Sequence, residues 1–149
     1  MRQMFRKAVG ADPSGVHEVN TAFAGFAEEN ELPVDVRRSI SIALDELLAN
    51  SLTHGSAGRD PCSVSVEVQL DEERVTVTVT DDGMPFDPFA RDAPDTTLSV
   101  EERPIGGLGI HLVGRLMDEV SYQRREDHNV VVLVKQLAKS QDKTQRKEN

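Results

Sequence analysis

SVSVEVQLDEERVTVTVT, residues 63–80, decides the architecture of this chain. Val64, Val66, Val68 and Leu70 alternate with Ser63, Ser65, Glu67 and Gln69, the period-2 pattern of a strand with one buried and one wet face. Asp71-Glu72-Glu73-Arg74 supplies a turn, and Val75, Val77 and Val79 then alternate with Thr76, Thr78 and Thr80 in a return strand. Strands joined by so short a turn are antiparallel neighbours, so the sheet built on them is not the doubly wound parallel kind.

Upstream of the hairpin the hydrophobic period changes from 2 to 3.6. Val36, Ile40, Leu44, Leu47, Leu48 and Leu52 fall on one stripe of a helix expected from about Val34 to His54, opened by Pro33 and closed by Gly55. Glu46 and Asn50 lie one turn apart at the edge of that stripe and project into the same space, bordering the core as a pocket wall does. A carboxylate takes a proton and an amide oxygen holds a hard cation, although polar pairs at this spacing are also ordinary on solvated helix faces. Before this helix, Asp12-Pro13 marks an N-cap and first helical position, and Val16, Val19, Phe23, Phe26 and Ala27 give an apolar face up to about Asn30. Gln3–Val9 alternates loosely and suits an edge strand.

Downstream, the return strand runs into Asp81-Asp82-Gly83-Met84-Pro85-Phe86-Asp87-Pro88. From Phe89 to Pro104 periodicity is lost, and a loop of this length inside a domain is usually functional or disordered. Ile105-Gly106-Gly107-Leu108-Gly109-Ile110 ends it and leads into a short amphipathic helix with Ile110, Val113, Leu116 and Met117. A second hairpin follows, Glu119–Arg124 and Val130–Leu137 around Glu126-Asp127-His128-Asn129. AKSQDKTQRKEN, residues 138–149, has the composition of a disordered polar tail. The expected fold is α+β, a two-layer sandwich with a mixed, mostly antiparallel sheet and helices on one face, as a single domain over 1–137.

Bulk composition narrows the function classes. The chain has 149 residues, 38% hydrophobic and 29% charged, with a formal charge of −9 that argues against a binder of nucleic-acid phosphates. No apolar run is long enough to span a membrane and the first residues lack the apolar core of a signal peptide, so a cytoplasmic setting is expected. Cys62 is the single cysteine, which leaves no intramolecular disulfide and no Cys–His zinc cluster.

Three clusters thus sit at element ends: Glu46/Asn50 on a helix, Asp81-x-Gly83 after a strand, and Gly107-Leu108-Gly109 entering a helix. Backbone N–H groups of a glycine-rich helix start suit phosphates, a strand-end Asp accepts from an exocyclic amine, and Glu with Asn can manage a proton and Mg²⁺. Each alone is common punctuation; their order is not.

Glu46-x-x-x-Asn50 with His54-Gly55, then Asp81-x-Gly83, then Gly106-Gly107-Leu108-Gly109, resembles the N, G1 and G2 boxes of the gyrase–histidine-kinase ATP-binding superfamily. Within it, GGLGIHLVGRLMDEV (106–120) is similar to the bacterial anti-sigma-factor serine kinases. The resemblance covers about Asp12 to Leu137 and implies a histidine-kinase-like ATPase fold. It implies that Asn50 coordinates the Mg²⁺ bridging the ATP phosphates, that Glu46 is the general base, and that Asp81 accepts from the adenine amine. Gly83 would let the backbone pass close to the base, and Gly107, Leu108 and Gly109 would line the phosphates. Residues 89–104 would be the ATP lid, in which Arg103 is a candidate γ-phosphate contact on the physical ground that Arg suits phosphate. The implied partners are a sigma factor, an anti-anti-sigma (STAS-type) substrate and a second copy of the chain, with neither nucleic acid nor membrane.

Two departures from the family pattern stand out. Gly83-Met84-Pro85 replaces a common Gly-x-Gly, which stiffens or reshapes the adenine pocket. Asn129-Val130 stands where a Gly-Thr pair is often found, so a threonine contact near adenine is missing or replaced. Two functions remain in view: a protein-serine/threonine kinase and anti-sigma factor, or a module that binds ATP only to hold a partner.

Overall fold

A computed structural model of the protein describes residues 3–10, 12–51, 63–90 and 107–137. Along the chain run β1 (Gln3–Gly10), α1 (Pro13–Glu29), α2 (Val34–Asn50), β2 (Ser63–Leu70) and β3 (Arg74–Asp81). A 3-10 turn (Pro88–Ala90), α3 (Gly107–Leu116), β4 (Glu119–Arg125) and β5 (His128–Gln136) complete it. The strands form one sheet in the order β1-β2-β3-β5-β4. Every neighbouring pair is antiparallel, so the sheet is not mixed among the described strands.

The alternation at 63–80 becomes the inner face of the sheet. Val64, Val66, Val68 and Leu70 pair across to β3, and Val75, Val77 and Val79 to β5, all buried against the helices. Phe23, Ile40, Leu44 and Leu48 fill the facing layer. Burial of one such side chain contributes about 1.5–3 kcal/mol, so this two-layer core is the main stabilising term. β1 is the expected edge strand, with the Phe5 ring 5.0 Å from that of Phe26 on α1.

The helix boundaries follow from their caps. Asp12 accepts from Gly15 N–H at 2.8 Å, satisfying a donor of the first turn of α1. At the other end Leu32 N–H reaches the Ala27 carbonyl and Glu31 N–H that of Glu28, with Glu31 at φ 52. This is a Schellman closure in which a glutamate takes the position glycine usually fills. It explains why α1 stops before Pro33 rather than merging with α2. α2 has no side-chain cap; the Arg37 guanidinium instead holds the Leu32 carbonyl at 2.7 Å.

The expected turn of the second hairpin needs revision. The second hairpin turns on Glu126 and Asp127 alone, both with positive φ (49 and 64), while His128 and Asn129 already belong to β5. Two-residue turns of this hand match the twist of the strands, so the ladder closes two residues earlier than the polar run suggests. The α-helical residues of α2 are described to Asn50, and Ser51 keeps helical backbone angles. Leu52, His54, Gly55 and Cys62, with the expected end of this helix, lie outside the described residues, as do 91–104 of the expected lid and the 138–149 tail.

Candidate functional site

Polar residues gather at one end of the inner sheet face. β3 ends on Asp81, and the register sets it directly opposite Asn129 near the start of β5. Both continue the inward-facing series Val75-Val77-Val79 and Leu133-Val131, and both are buried, Asp81 at 9% exposure and Asn129 at 4%. A carboxylate in that position is costly unless its lone pairs are used. Asp81 Oδ1 accepts from the Gly83 N–H at 3.0 Å and from Asn129 Nδ2 at 2.9 Å. Its Oδ2 accepts from the Ser51 hydroxyl at 3.0 Å.

The same residues tie down the segment after β3. Asn129 Nδ2 also donates to the Met84 carbonyl at 2.8 Å, while its Oδ1 accepts from Phe86 N–H at 3.2 Å and from the Tyr122 hydroxyl at 2.6 Å. Arg124 donates to the Gly83 carbonyl at 2.8 Å. Residues 83–86 are thereby held by β4 and β5, two strands distant in sequence.

Above this network lies a cleft of about 360 Å³, counting its open mouth. Leu47, Val79 and Val131 give it apolar walls, and Asn50, Ser51 and Asp81 supply polar groups. Apolar walls with a few convergent polar groups suit a flat ring bearing a hydrogen-bond donor. Asn50, the last residue of α2, has its Nδ2 buried without a hydrogen-bond partner. A buried amide donor left unmatched costs about 1–3 kcal/mol, which makes Asn50 a candidate ligand contact in this cleft.

The structure therefore brings Asn50 and Asp81 into one cleft. Glu46, half-buried one turn earlier on α2, is not among the residues lining it. Gly83 acts on Asp81 through its backbone N–H. Gly107, Leu108 and Gly109 form the first turn of α3, which packs on α2 and on the 3-10 turn. Arg103 lies outside the described residues. Among the described residues no three His, Cys, Asp or Glu side chains are grouped to hold a metal, so a cation beside Asn50 would need further oxygens from a bound phosphate chain.

Sequence reasoning missed Ser51, Tyr122, Arg124 and the role of Asn129. A signal existed for two of them. Ser51 follows Leu44, Leu47 and Leu48 on the apolar stripe, and Asn129 continues the inward series of Val131 and Leu133; each is a polar residue at a buried position.

Residues 9–135 match the family described as histidine kinase-like ATPase domain. The chain belongs to that family. Among its relatives, the serine-protein kinase RsbW of Listeria monocytogenes (serotype 4a) is 30% identical over 82% of this chain and 80% of its own length. RsbW of Bacillus velezensis is 32% identical over 77% and 74%. The serine/threonine-protein kinase BtrW of Bordetella bronchiseptica is 26% identical over 69% and 72%. A crystal structure of the RsbU and RsbW domains of a Mycobacterium tuberculosis protein superposes with a TM-score of 0.62 at 14% identity, covering 92% of this chain and 34% of that one. The histidine-kinase-like ATPase domain thus has the expected α+β fold, and the likeness to anti-sigma-factor serine kinases holds. No helix among the described residues is long and apolar enough to cross a membrane.

Proposed function

We infer that the protein is an ATP-dependent protein-serine/threonine kinase that acts as an anti-sigma factor. It holds a sigma factor and phosphorylates a serine or threonine on an anti-anti-sigma (STAS-type) antagonist, working as a homodimer. The observation that supports this most is the single cleft shared by the fixed carboxylate of Asp81 and the unmatched amide of Asn50. Membership of an ATPase family whose relatives include serine-protein kinases supports it independently.

In this reading Asp81 accepts from the exocyclic amine of adenine while Leu47, Val79 and Val131 cover the ring faces. The Asn50 carboxamide, turned about its last torsion, offers Oδ1 in place of Nδ2, the hard oxygen that Mg²⁺ takes. Bound Mg-ATP supplies the phosphoryl group and the charge neutralisation for its transfer. Glu46 orients the attacking hydroxyl and receives its proton as the new O–P bond forms and the β–γ bridge breaks, releasing ADP. First-turn N–H groups of α3, at Gly107, Leu108 and Gly109, meet the phosphates, with Arg103 as a γ-phosphate contact.

A Mg²⁺-dependent rise in melting temperature with ATP tests the nucleotide; at a hundredfold excess over Kd the gain is about 2.7 kcal/mol. No rise would remove the nucleotide reading. Labelled ATP with candidate STAS-type proteins then tests transfer. One observation favours a second reading: Glu46 does not line the cleft, which suits a module that binds ATP to hold a partner without transfer. Binding without label on any antagonist would decide for it.

A further inference from the structure

Asn129 uses every hydrogen-bonding position it has. The two Nδ2 hydrogens go to Asp81 Oδ1 and the Met84 carbonyl, and Oδ1 accepts from Phe86 N–H and the Tyr122 hydroxyl. Its orientation is fixed by chemistry: a carboxylate and a carbonyl can only accept, and the Phe86 N–H can only donate. Flipping the amide would set oxygen against oxygen at two places. No other common side chain of this size serves all four partners. A threonine carries one donor and cannot reach both Asp81 and Met84, and an aspartate would add a second carboxylate beside the first.

A saturated Asn129 has nothing left for a ligand, so its effect on the cleft passes through the groups it holds, Asp81 and the segment that carries the cleft residue Phe86. Asp81 has roughly four acceptor positions. Oδ1 spends two on Gly83 and Asn129, and Oδ2 takes Ser51, leaving one position on Oδ2. The carboxylate is thus locked at Oδ1 by groups from the loop and from β5, and the acceptor that remains belongs to the oxygen beside Ser51, itself a cleft residue.

We propose that Asn129, braced by Tyr122, is a positioning residue that aims Asp81 Oδ2 at the nucleobase amine and so sets nucleobase selectivity. The proposal rests on the nucleotide reading above, and its contribution is directional. Without Asn129 the carboxylate keeps only Gly83 N–H on Oδ1 and the Ser51 hydroxyl on Oδ2, so its last torsion is held less firmly, and the segment 83–86 loses two of its anchors. Binding of a purine that carries the amine should then suffer more than binding of one that lacks it.

The test compares ATP with purine riboside triphosphate, in which hydrogen replaces the 6-amino group, on the full chain with Mg²⁺ by calorimetry. A hydrogen bond to a charged acceptor is worth roughly 10- to 100-fold in affinity, so the wild-type protein should prefer ATP by about that ratio. In Asn129→Ala the ATP affinity should fall about tenfold or more and the analogue's by less than about threefold, collapsing the ratio. Equal weakening of both ligands would make Asn129 a structural support only and overturn the proposal. Tyr122→Phe removes one hydroxyl from a half-buried ring and should lower the ratio about threefold. If Asn129→Ala does not fold, an unchanged ratio in Tyr122→Phe overturns the proposal. A wild-type protein that binds both ligands equally refutes the amine contact but leaves ATP binding intact; one that binds neither refutes the nucleotide reading itself.

Discussion

Gly15→Ala puts the junction between the sheet and the helical layer under a direct test. Gly15 is buried in the first turn of α1, where the helix passes over the end of β1. A methyl group there would lie 2.0 Å from the Gly10 carbonyl oxygen, 3.0 Å from Val9 Cγ2 and 3.1 Å from Val9 Cβ. Carbon and oxygen need about 3.3 Å, so the start of α1 must retreat by roughly 1 Å from backbone that is itself paired in the sheet. That retreat strains the packing, typically about 1–3 kcal/mol, and pulls Gly15 N–H from the Asp12 cap, about 1 kcal/mol more. The gain of alanine over glycine in a helix returns at most about 1 kcal/mol. The net loss is about 2 kcal/mol, or about 4–8 °C in Tm for a chain near this length. Urea unfolding followed by far-ultraviolet circular dichroism should show the midpoint falling by about 1 M. Gly25→Ala is the control: exposed in the middle of α1 with nothing within 4 Å of an added methyl, it should gain about 0.5–1 kcal/mol. A Gly15→Ala protein at least as stable as wild type would refute the close approach of α1 to β1.

Other substitutions separate function from stability. Asn50→Ala should weaken Mg-ATP binding at least about tenfold yet leave unfolding stability undiminished or raise it by up to about 1–3 kcal/mol, because the buried Nδ2 has no partner to lose and its unmet desolvation cost is removed; calorimetry and urea unfolding read the two effects. Glu46→Ala should keep ATP affinity within about threefold while phosphotransfer to the antagonist falls about 10²-fold or more in a labelled-ATP assay; unchanged transfer would sink Glu46 as the base. Replacing Glu126-Asp127 by Asn-Gly should raise stability by about 1 kcal/mol in urea, since both residues hold positive φ that Asn and Gly adopt more readily.

Legibility in the sequence followed the strength of the periodic signal. The 63–80 hairpin and the stripe of α2 were readable because valine–threonine alternation and a 3.6-residue leucine spacing each have one sensible burial. The Asp12-Pro13 start of α1 was readable because cap chemistry is local. The second hairpin was placed correctly but its turn was read two residues too long, because the polar run continues into β5 and the positive φ at Glu126 is not signalled by its residue type. Asp81 and Asn50 could be named through their resemblance to family boxes. Their supports could not, since Ser51 lies 30 residues before Asp81 and Asn129 lies 48 after it; the strand register brings in Asn129, and the end of α2 brings in Ser51.

That register ties the stability of the sheet to the geometry of the cleft. The pairing of β3 with β5 places Val77 opposite Leu133 and Val79 opposite Val131, and the next inward pair is Asp81 with Asn129. A slip of one residue would turn the buried valines outward and, in the same motion, take the amide to the far face from the carboxylate. The core therefore specifies the polar pair without a separate device. Tyr122 on β4 extends this dependence to the sheet edge: it stands opposite Val131 and reaches Asn129 with its hydroxyl. Changes at that edge should consequently be felt at Asp81, two strands away, through hydrogen bonds that the packed valines keep in line.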